Sequence, residues 1–342
     1  MTRPVRVAVL GAGRIGRRHS RTVATQTPGA ELVVVADAVE AAARDTAAEL
    51  RVTRWTTDAM AAIADPDVDA VVIASPTEQH APQIIAAAEA GKDIFCEKPI
   101  ALDLETTDRA IDAVERAGVR LHVGFNRRFD AGYVRAKADI MAGRVGAIES
   151  IRDVMRDPAP PPRAYVAGAG GHFRDMTIHN FDCVRWLAGC EVVEVVAMAA
   201  ALVDPMFAEL GDVDTSIVTL RLESGALAVI DNSRRSGFGY DLRTEVFGSE
   251  GALFVGYSQA TPVTHLTAAG VTTDHVHFFL DRFAGAYVAE IRDFVDAIVQ
   301  GRPTSVTGAD GRAALALAYA AEESVRERRP VAVSRFDRGG LE

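Results

Sequence analysis

Cysteine, basic charge and long apolar runs are what this sequence has little of, and each shortage closes a class. Its three cysteines, Cys96, Cys183 and Cys190, are too few and too irregularly spaced for a zinc site or a disulfide framework. Cys183 and Cys190 are near enough to pair, but reduced thiols in a cytoplasmic protein are the expectation. Lysine and arginine number 37 against 47 acidic residues, a net charge of −10, without the basic face that nucleic acids require. No apolar run approaches the ~20 residues that span a bilayer, so no membrane partner is expected. Met1-Thr2-Arg3-Pro4 leads directly into a strand-like run, and no signal peptide is expected.

What is present is the balance of a globular chain: 49% hydrophobic and 25% charged residues over a length of 342, enough for two domains. Val5–Leu10, Glu31–Ala36, Val68–Ala74 and Lys92–Cys96 read as nearly continuous apolar strands. Alanine-rich helical stretches lie between them, at Val39–Leu50, Asp58–Ala64 and Ala81–Ala90. That alternation predicts a parallel sheet covered on both faces.

The loop Gly11-Ala12-Gly13-Arg14-Ile15-Gly16 follows the first strand and opens a helix over Arg17–Thr25. A bare G-x-G-x-x-G is weak in a chain with 28 glycines, so its place between strand and helix is what carries weight. Gly11 permits the tight turn, Gly13 lets a pyrophosphate approach the backbone, and Gly16 lets helix and strand pack closely. Asp37 ends the second strand about 20 residues on, where a carboxylate accepts from ribose hydroxyls and repels a 2′-phosphate. NAD is therefore preferred over NADP, Arg44 lying too far along the next helix to reverse this. Two further loops follow strand ends: Ser75-Pro76-Thr77-Glu78-Gln79-His80 and Glu97-Lys98-Pro99. Ligands of doubly wound sheets sit at such ends, so Ser75, Pro76, Thr77, His80, Glu97 and Lys98 join the cofactor-side set.

After the strand Arg120–Val123, the stretch Gly124–Arg128 reads as the crossing into a second domain, dividing the chain at 1–123 and 124–342. A helix (Tyr133–Ala142), a strand (Ala147–Met155) and the cluster Asp157-Pro158-Ala159-Pro160-Pro161-Pro162 follow. The prolines suit a stiff loop inside the fold better than a polyproline ligand. In Gly170–Leu187 the apolar spacing predicts a helix starting near Asp175, with Asp175 and His179 at i and i+4 on one face. A carboxylate beside an imidazole orients the ring and favours its charged form, which suits a general base. Taken alone, such a pair is more often a cap beside a surface histidine. Asp175, His179 and Asp182 are possible metal ligands by type, but they lack partners elsewhere and hydride transfer needs none, so no metal is expected. Beyond Val192 the strand candidates Val192–Ala201, Asp214–Leu222, Leu227–Ser233, Arg243–Gly248 and Ala252–Val255 imply a largely antiparallel sheet. Helices return at Ala286–Val299 and Gly308–Arg328, and the terminal Leu341-Glu342 has the look of an appended remnant.

Taken together, GAGRIG, Glu97-Lys98-Pro99 and Asp175-x-x-x-His179, in that order, resemble the glucose–fructose oxidoreductase / inositol dehydrogenase / rhizopine catabolism family. The resemblance spans the chain. It implies an α/β fold: an N-terminal Rossmann doubly wound parallel sheet, then an α+β domain with a large, mostly antiparallel open sheet. It also implies a catalytic trio of Lys98, Asp175 and His179, an NAD cofactor and a homo-oligomer, a tetramer by analogy. The stretches Gly124–Asp130, Arg156-Asp157-Pro158 and Gly170–His179 are most similar to the family's inositol-oxidising branch. That similarity implies that Lys98, Arg127, Asp157, Asp175, Thr177, His179 and Tyr240 face a cyclic polyol. Tyr240 follows from Gly239-Tyr240-Asp241, and Tyr287 is implied by position after Arg282-Phe283. The implied reaction takes a ring secondary alcohol, as in myo-inositol, to the ketone. His172 stands where an apolar residue is expected and bears on which isomer fits. Relatives acting on an aldose or amino sugar, and non-turnover NAD sensors, are the other readings; sensors usually lack the lysine or histidine retained here.

Overall fold

The computed structural model describes residues 3–338, so Leu341-Glu342 lies outside the described residues. The chain divides into two compact units, each built from two stretches. The first runs through Phe129 and takes in Gly285–Leu315; the second comprises Asp130–Ala284 and residues from Ala316 onward.

In the first unit, six strands form one parallel sheet: β1 (Val5–Leu10), β2 (Ala30–Ala36), β3 (Trp55–Thr56), β4 (Ala70–Ile73), β5 (Asp93–Glu97) and β6 (Leu121–Gly124). Their order, β3-β2-β1-β4-β5-β6, places the reversal of direction between β1 and β4. That switch point is where the carboxyl ends of neighbouring strands leave a crevice. The strands are buried almost throughout, as valine- and isoleucine-rich runs covered on both faces must be.

The expected division at 123/124 differs from this one for a packing reason. The helix Ala284–Gln300 sends Ile291, Phe294 and Val295 into the core made by Val7, Val9, Val35, Val72 and Phe95. Its amphipathic periodicity is legible in the sequence; which core it joins is not. A further helix, Leu104–Ala117, was absent from the sequence expectations. It is capped by Asp103, whose side chain accepts from Thr106 N, and closed by Gly118 in the left-handed region.

The second unit is built on seven strands: β7 (Ile148–Arg156), β8 (Val192–Ala200), β9 (Thr215–Leu222), β10 (Leu227–Ser233), β11 (Asp241–Gly248), β12 (Gly251–Val255) and, after an exposed hairpin of β13 (Thr264–Thr267) and β14 (Gly270–Thr273), β15 (Val331–Ala332). The sheet order is β12-β11-β7-β10-β9-β8-β15, antiparallel except for the parallel pair β7 and β10. One face is buried, by Ile151, Val195, Val218, Leu220 and Ile230 among others; Met198, Ile217, Phe247 and Phe254 lie exposed. The helix Ile178–Ala188 belongs to the same unit and buries Phe181, Val184 and Leu187. Its Asn180 donates to Asp153 Oδ2 of β7 at 2.8 Å, Thr244 of β11 donates to Asp153 Oδ1 at 2.6 Å, and the Tyr133 hydroxyl lies 2.7 Å from Thr244 Oγ1. A buried carboxylate satisfied in this way fixes the helix register on the sheet.

Candidate active site

In the first unit the loops after β1, β4 and β5 gather at the switch point. Gly11 has φ +99°, and a Cβ there would meet Ala74 O at 2.4 Å. A Cβ on Gly16 would lie 1.9 Å from Gly11 O, so helix and loop can be this close only with glycine at both positions. Gly13 is different: a Cβ there would meet nothing within 4 Å, and no side chain caps the helix Arg14–Gln26 behind it. Open space beside uncapped helix amides is the cradle a pyrophosphate requires, and the residues present fit a dinucleotide. Asp37 accepts from Ala12 N at 2.6 Å and from Val39 N at 2.8 Å, so the residue read as a ribose ligand also fastens the glycine loop.

Ser75 donates to Gln83 Oε1 at 2.9 Å, and Pro76 precedes a short 3₁₀ turn over Thr77–Gln79. His80 is buried, with Nδ1 2.7 Å from Pro99 O and Nε2 2.9 Å from Ser75 O. The neutral ring donates to one carbonyl at a time and ties the loop after β4 to the turn after β5. Its position is that of a brace for the cofactor-side loops. Glu97 ends β5, half-buried, with Oε1 2.7 Å from Nε2 of the buried His19; Lys98 follows, and the Lys98–Pro99 peptide is cis. Arg127 is buried in the turn Asn126–Phe129. Tyr287, named from the sequence as facing a polyol, is buried with its ring edge-on to His19 at 5.9 Å and Arg18 over it at 5.5 Å.

In the second unit the expected regular helix from Asp175 is replaced. Residues Phe173–Thr177 form a wide π-type turn, and the α-helix begins only at Ile178. Gly170 and Gly171, both at positive φ, deliver the chain into that turn, and Asp175 N donates to Gly171 O at 3.0 Å. Asp175 and His179 thus straddle a junction of two helix types and not one α-helical face; such π turns are frequent at functional sites. Asp175 is buried, its Oδ1 accepting from the Tyr165 hydroxyl at 2.8 Å and its Oδ2 from Arg234 Nη2 at 2.6 Å. The same guanidinium donates from Nη1 to Asp157 Oδ2 at 3.2 Å, placing one buried cation between two of the sequence-named carboxylates. Tyr165 exposes half of its surface, but desolvation of its hydroxyl end and the neighbouring Asp175 push that hydroxyl above its ordinary range, so it donates at neutral pH.

Thr177 is buried, and its hydroxyl finds no hydrogen-bond partner among the described residues. His179 is half-buried in the first turn of the helix that Asn180 anchors. Tyr240 is buried beside Phe279 and Phe283, at ring separations of 6.4 and 6.2 Å. His172 is buried, 2.9 Å from Ser216 Oγ of β9, so it packs onto the sheet of its own unit. Burial, then the nearby Arg234, depress its pKa to about 3, which keeps the ring neutral.

Arg234 and Tyr165 escaped sequence reasoning. Arg234 directly follows β10 but lies far along the chain from both aspartates, and only the sheet order brings β10 beside β7. His19 carried a usable signal. It sits on the helix face that buries Gly16, Ser20 and Val23, where a histidine needs a partner. Among the described residues, His19, Glu97 and Glu290 offer donor atoms all within 4.8 Å of one another.

A switch-point cradle for a dinucleotide, in one chain with a second unit bearing a half-buried imidazole and buried carboxylates, fits the class of nicotinamide-linked oxidoreductases. The profile described as "Oxidoreductase family, NAD-binding Rossmann fold" matches residues 5–125, and that of the "GFO/IDH/MocA C-terminal domain" matches residues 133–254. The chain belongs to the GFO/IDH/MocA oxidoreductase family. It is 45% identical to the inositol 2-dehydrogenase of Rhizobium meliloti, over 96% of this chain and 99% of that one. It is 42% identical to the myo-inositol 2-dehydrogenase of Thermotoga maritima, over 96% and 98%. The structure of a Lactobacillus casei scyllo-inositol dehydrogenase with bound NAD(H) and scyllo-inositol superposes with a TM-score of 0.91 at 30% identity, covering 97% of this chain and 100% of that one.

Proposed function

We propose that the chain is an NAD-dependent dehydrogenase that oxidises a ring secondary alcohol of a cyclic polyol, taking myo-inositol to 2-keto-myo-inositol. The observation that carries the reading is the wall of the second unit. There Arg234 holds Asp157 and Asp175 in place, and the Thr177 hydroxyl is buried without a partner among the described residues. A polyol presents several hydroxyl donors in a ring, and fixed carboxylates with a spare hydroxyl are the complementary acceptors. Full-length relatives named for inositol oxidation support the same substrate class.

The cradle at Gly11, Gly13 and Gly16 would hold NAD, which would supply the hydride acceptor for the carbinol carbon. His179 takes the hydroxyl proton, Asp175 stabilises the resulting imidazolium, and Lys98 stabilises the developing alkoxide. Asp175 can do this because Arg234 and Tyr165 hold its carboxylate in one orientation. Arg127, Asp157, Thr177 and Tyr240 grip the remaining ring hydroxyls. Asp37, at the end of β2, favours NAD over NADP by repelling a 2′-phosphate. Among the described residues no helix is long and apolar enough to cross a membrane. The exposed apolar side chains of the second unit's sheet, Met198, Ile217 and Phe254 among them, support a homo-oligomer formed through that face.

The test is NADH formation with myo-, scyllo- and D-chiro-inositol, run with NAD and with NADP. Turnover of myo-inositol with NAD is expected. Activity on another sugar alone would remove the substrate and leave the reaction class, while binding of NAD without turnover on any polyol would favour a sensor.

A further inference from the structure

Behind the Glu97-Lys98-Pro99 turn lies a carboxyl group that the proposed reaction does not use. Glu290, on the helix Ala284–Gln300, has no exposed surface, and neither of its carboxyl oxygens has a hydrogen-bond partner among the described residues. Its donor atom lies within 4.8 Å of those of Glu97 and His19. His19 comes from the helix Arg14–Gln26 and Glu97 from β5, so three elements of the first unit converge here. Tyr287, one turn before Glu290, packs on His19 with Arg18 across its ring, and Phe95 lies 5.2 Å from His19 on another side. Aromatic walls and full burial make two adjacent anions costly here.

We propose that Glu290 is a positioning residue, held as a neutral carboxylic acid against Glu97, which with His19 fixes the Glu97-Lys98-Pro99 turn. His19 Nε2, at 2.7 Å from Glu97 Oε1, donates from one side, and the Glu290 acid, with an oxygen within 4.8 Å of Glu97, stands where its proton can supply a second donor. A carboxylate held by two donors cannot rotate, and it is joined directly to the lysine that the proposed function places at the substrate alkoxide. Burial and the charge on Glu97 both push the Glu290 carboxyl well above the ordinary carboxylate range. A cation held by the same three side chains is the competing explanation. Elemental analysis of the purified protein separates the two explanations.

The sign of the pH effect follows from proton binding. Above the ordinary glutamate pKa, and up to the raised one, the folded state holds a proton that the unfolded state has lost, so stability falls as pH rises. Urea midpoints of the full-length protein and of Glu290→Gln, measured from pH 5 to 8, should diverge. The wild-type folding constant is expected to fall about tenfold per pH unit relative to the variant. An infrared band of a protonated carboxyl present in the wild type and missing from Glu290→Gln would agree. A pH-independent difference between the two proteins, or stoichiometric metal in the purified wild type by elemental analysis, would overturn the proposal.

The link to the turn is tested kinetically and rests on the proposed role of Lys98. Glu290→Leu should lower kcat about 10- to 100-fold with the Kd of NAD within about twofold, and Glu290→Gln should restore most of it. Equal kcat in both variants would remove the positioning role. If Glu290→Leu fails to fold, the stability titration and infrared band of Glu290→Gln still decide the protonation. If no polyol is turned over, those two measurements stand unchanged, so the two failures are distinguishable.

Discussion

The surface proposed to face the cofactor in the first unit is made of backbone, and the one proposed to face the substrate in the second is made of side chains. Around Gly11, Gly13 and Gly16 the requirement is steric, since a Cβ at Gly16 would lie 1.9 Å from a carbonyl oxygen while one at Gly13 would project into open space. Around Asp157, Asp175 and Tyr165 the requirement is electrostatic, with one guanidinium holding two carboxylates and a phenol closing the set. The contrast teaches that the two walls break in different ways. Backbone cradles respond to any added atom, whereas a buried charge network responds to loss of charge and tolerates changes that preserve it.

The sharpest separation comes from the proton-handling residues. His179→Ala should lower kcat by about 10² to 10⁴ and Lys98→Ala by about 10² to 10³, while calorimetry should find NAD binding intact in both. Loss of NAD binding along with turnover would mean that these side chains belong to the cofactor wall.

Arg234→Met breaks the second wall at its centre. Leaving Asp175 and Asp157 without their buried cation should cost about 3–5 kcal/mol of stability by urea denaturation, with a matching loss of kcat. Arg234→Lys should recover part of the stability. An unaltered unfolding midpoint in Arg234→Met would show that the two carboxylates are held by something else.

Changes to the first wall are smaller and more selective. Gly13→Ala should leave the apo melting temperature unchanged and weaken NAD about 10- to 100-fold, the cost of 1–3 kcal/mol for crowding a close contact. Gly16→Ala should already destabilise the apo protein, because its clash is internal. Asp37→Asn should raise the ratio of NADP- to NAD-supported turnover by roughly tenfold, reflecting one charge repulsion near the surface.

The smallest effect is a pH dependence set in the second unit. His172 is neutral when folded, its pKa depressed to about 3 against an ordinary 6.5. The unfolded state therefore binds more protons between those values, and the contribution to stability, complete above pH 6.5, is lost as pH falls toward 3. Between pH 7 and 5 the wild type should lose about 1–2 kcal/mol more than His172→Gln, measured by urea midpoint.

The parallel sheet was legible because its apolar strands and the glycine loop are local signals. β1 begins and ends at Val5 and Leu10 as expected, and the loops after β4 and β5 fall where strand ends put them. The two-residue β3 escaped because its Trp55 and Thr56 make no apolar run. In the second half the strands were legible from alternation, but the π-type turn was not. Apolar spacing over Gly170–Leu187 suits an α-helix, and only paired positive-φ glycines at 170 and 171 lead the chain into the wider turn.

Sequence alone determined the dinucleotide cradle, the parallel character of its sheet and the residue types at the E-K-P turn. These depend on contacts between neighbours in the chain, where glycine geometry and apolar runs suffice. Tertiary structure alone decided that the helix Ala284–Gln300 returns to the first core and that Arg234 lies between Asp157 and Asp175. It also decided that Glu290 is buried beside Glu97. Each of these joins residues separated by long stretches of chain, and a buried charge announces its partner only once the sheet has brought the two together.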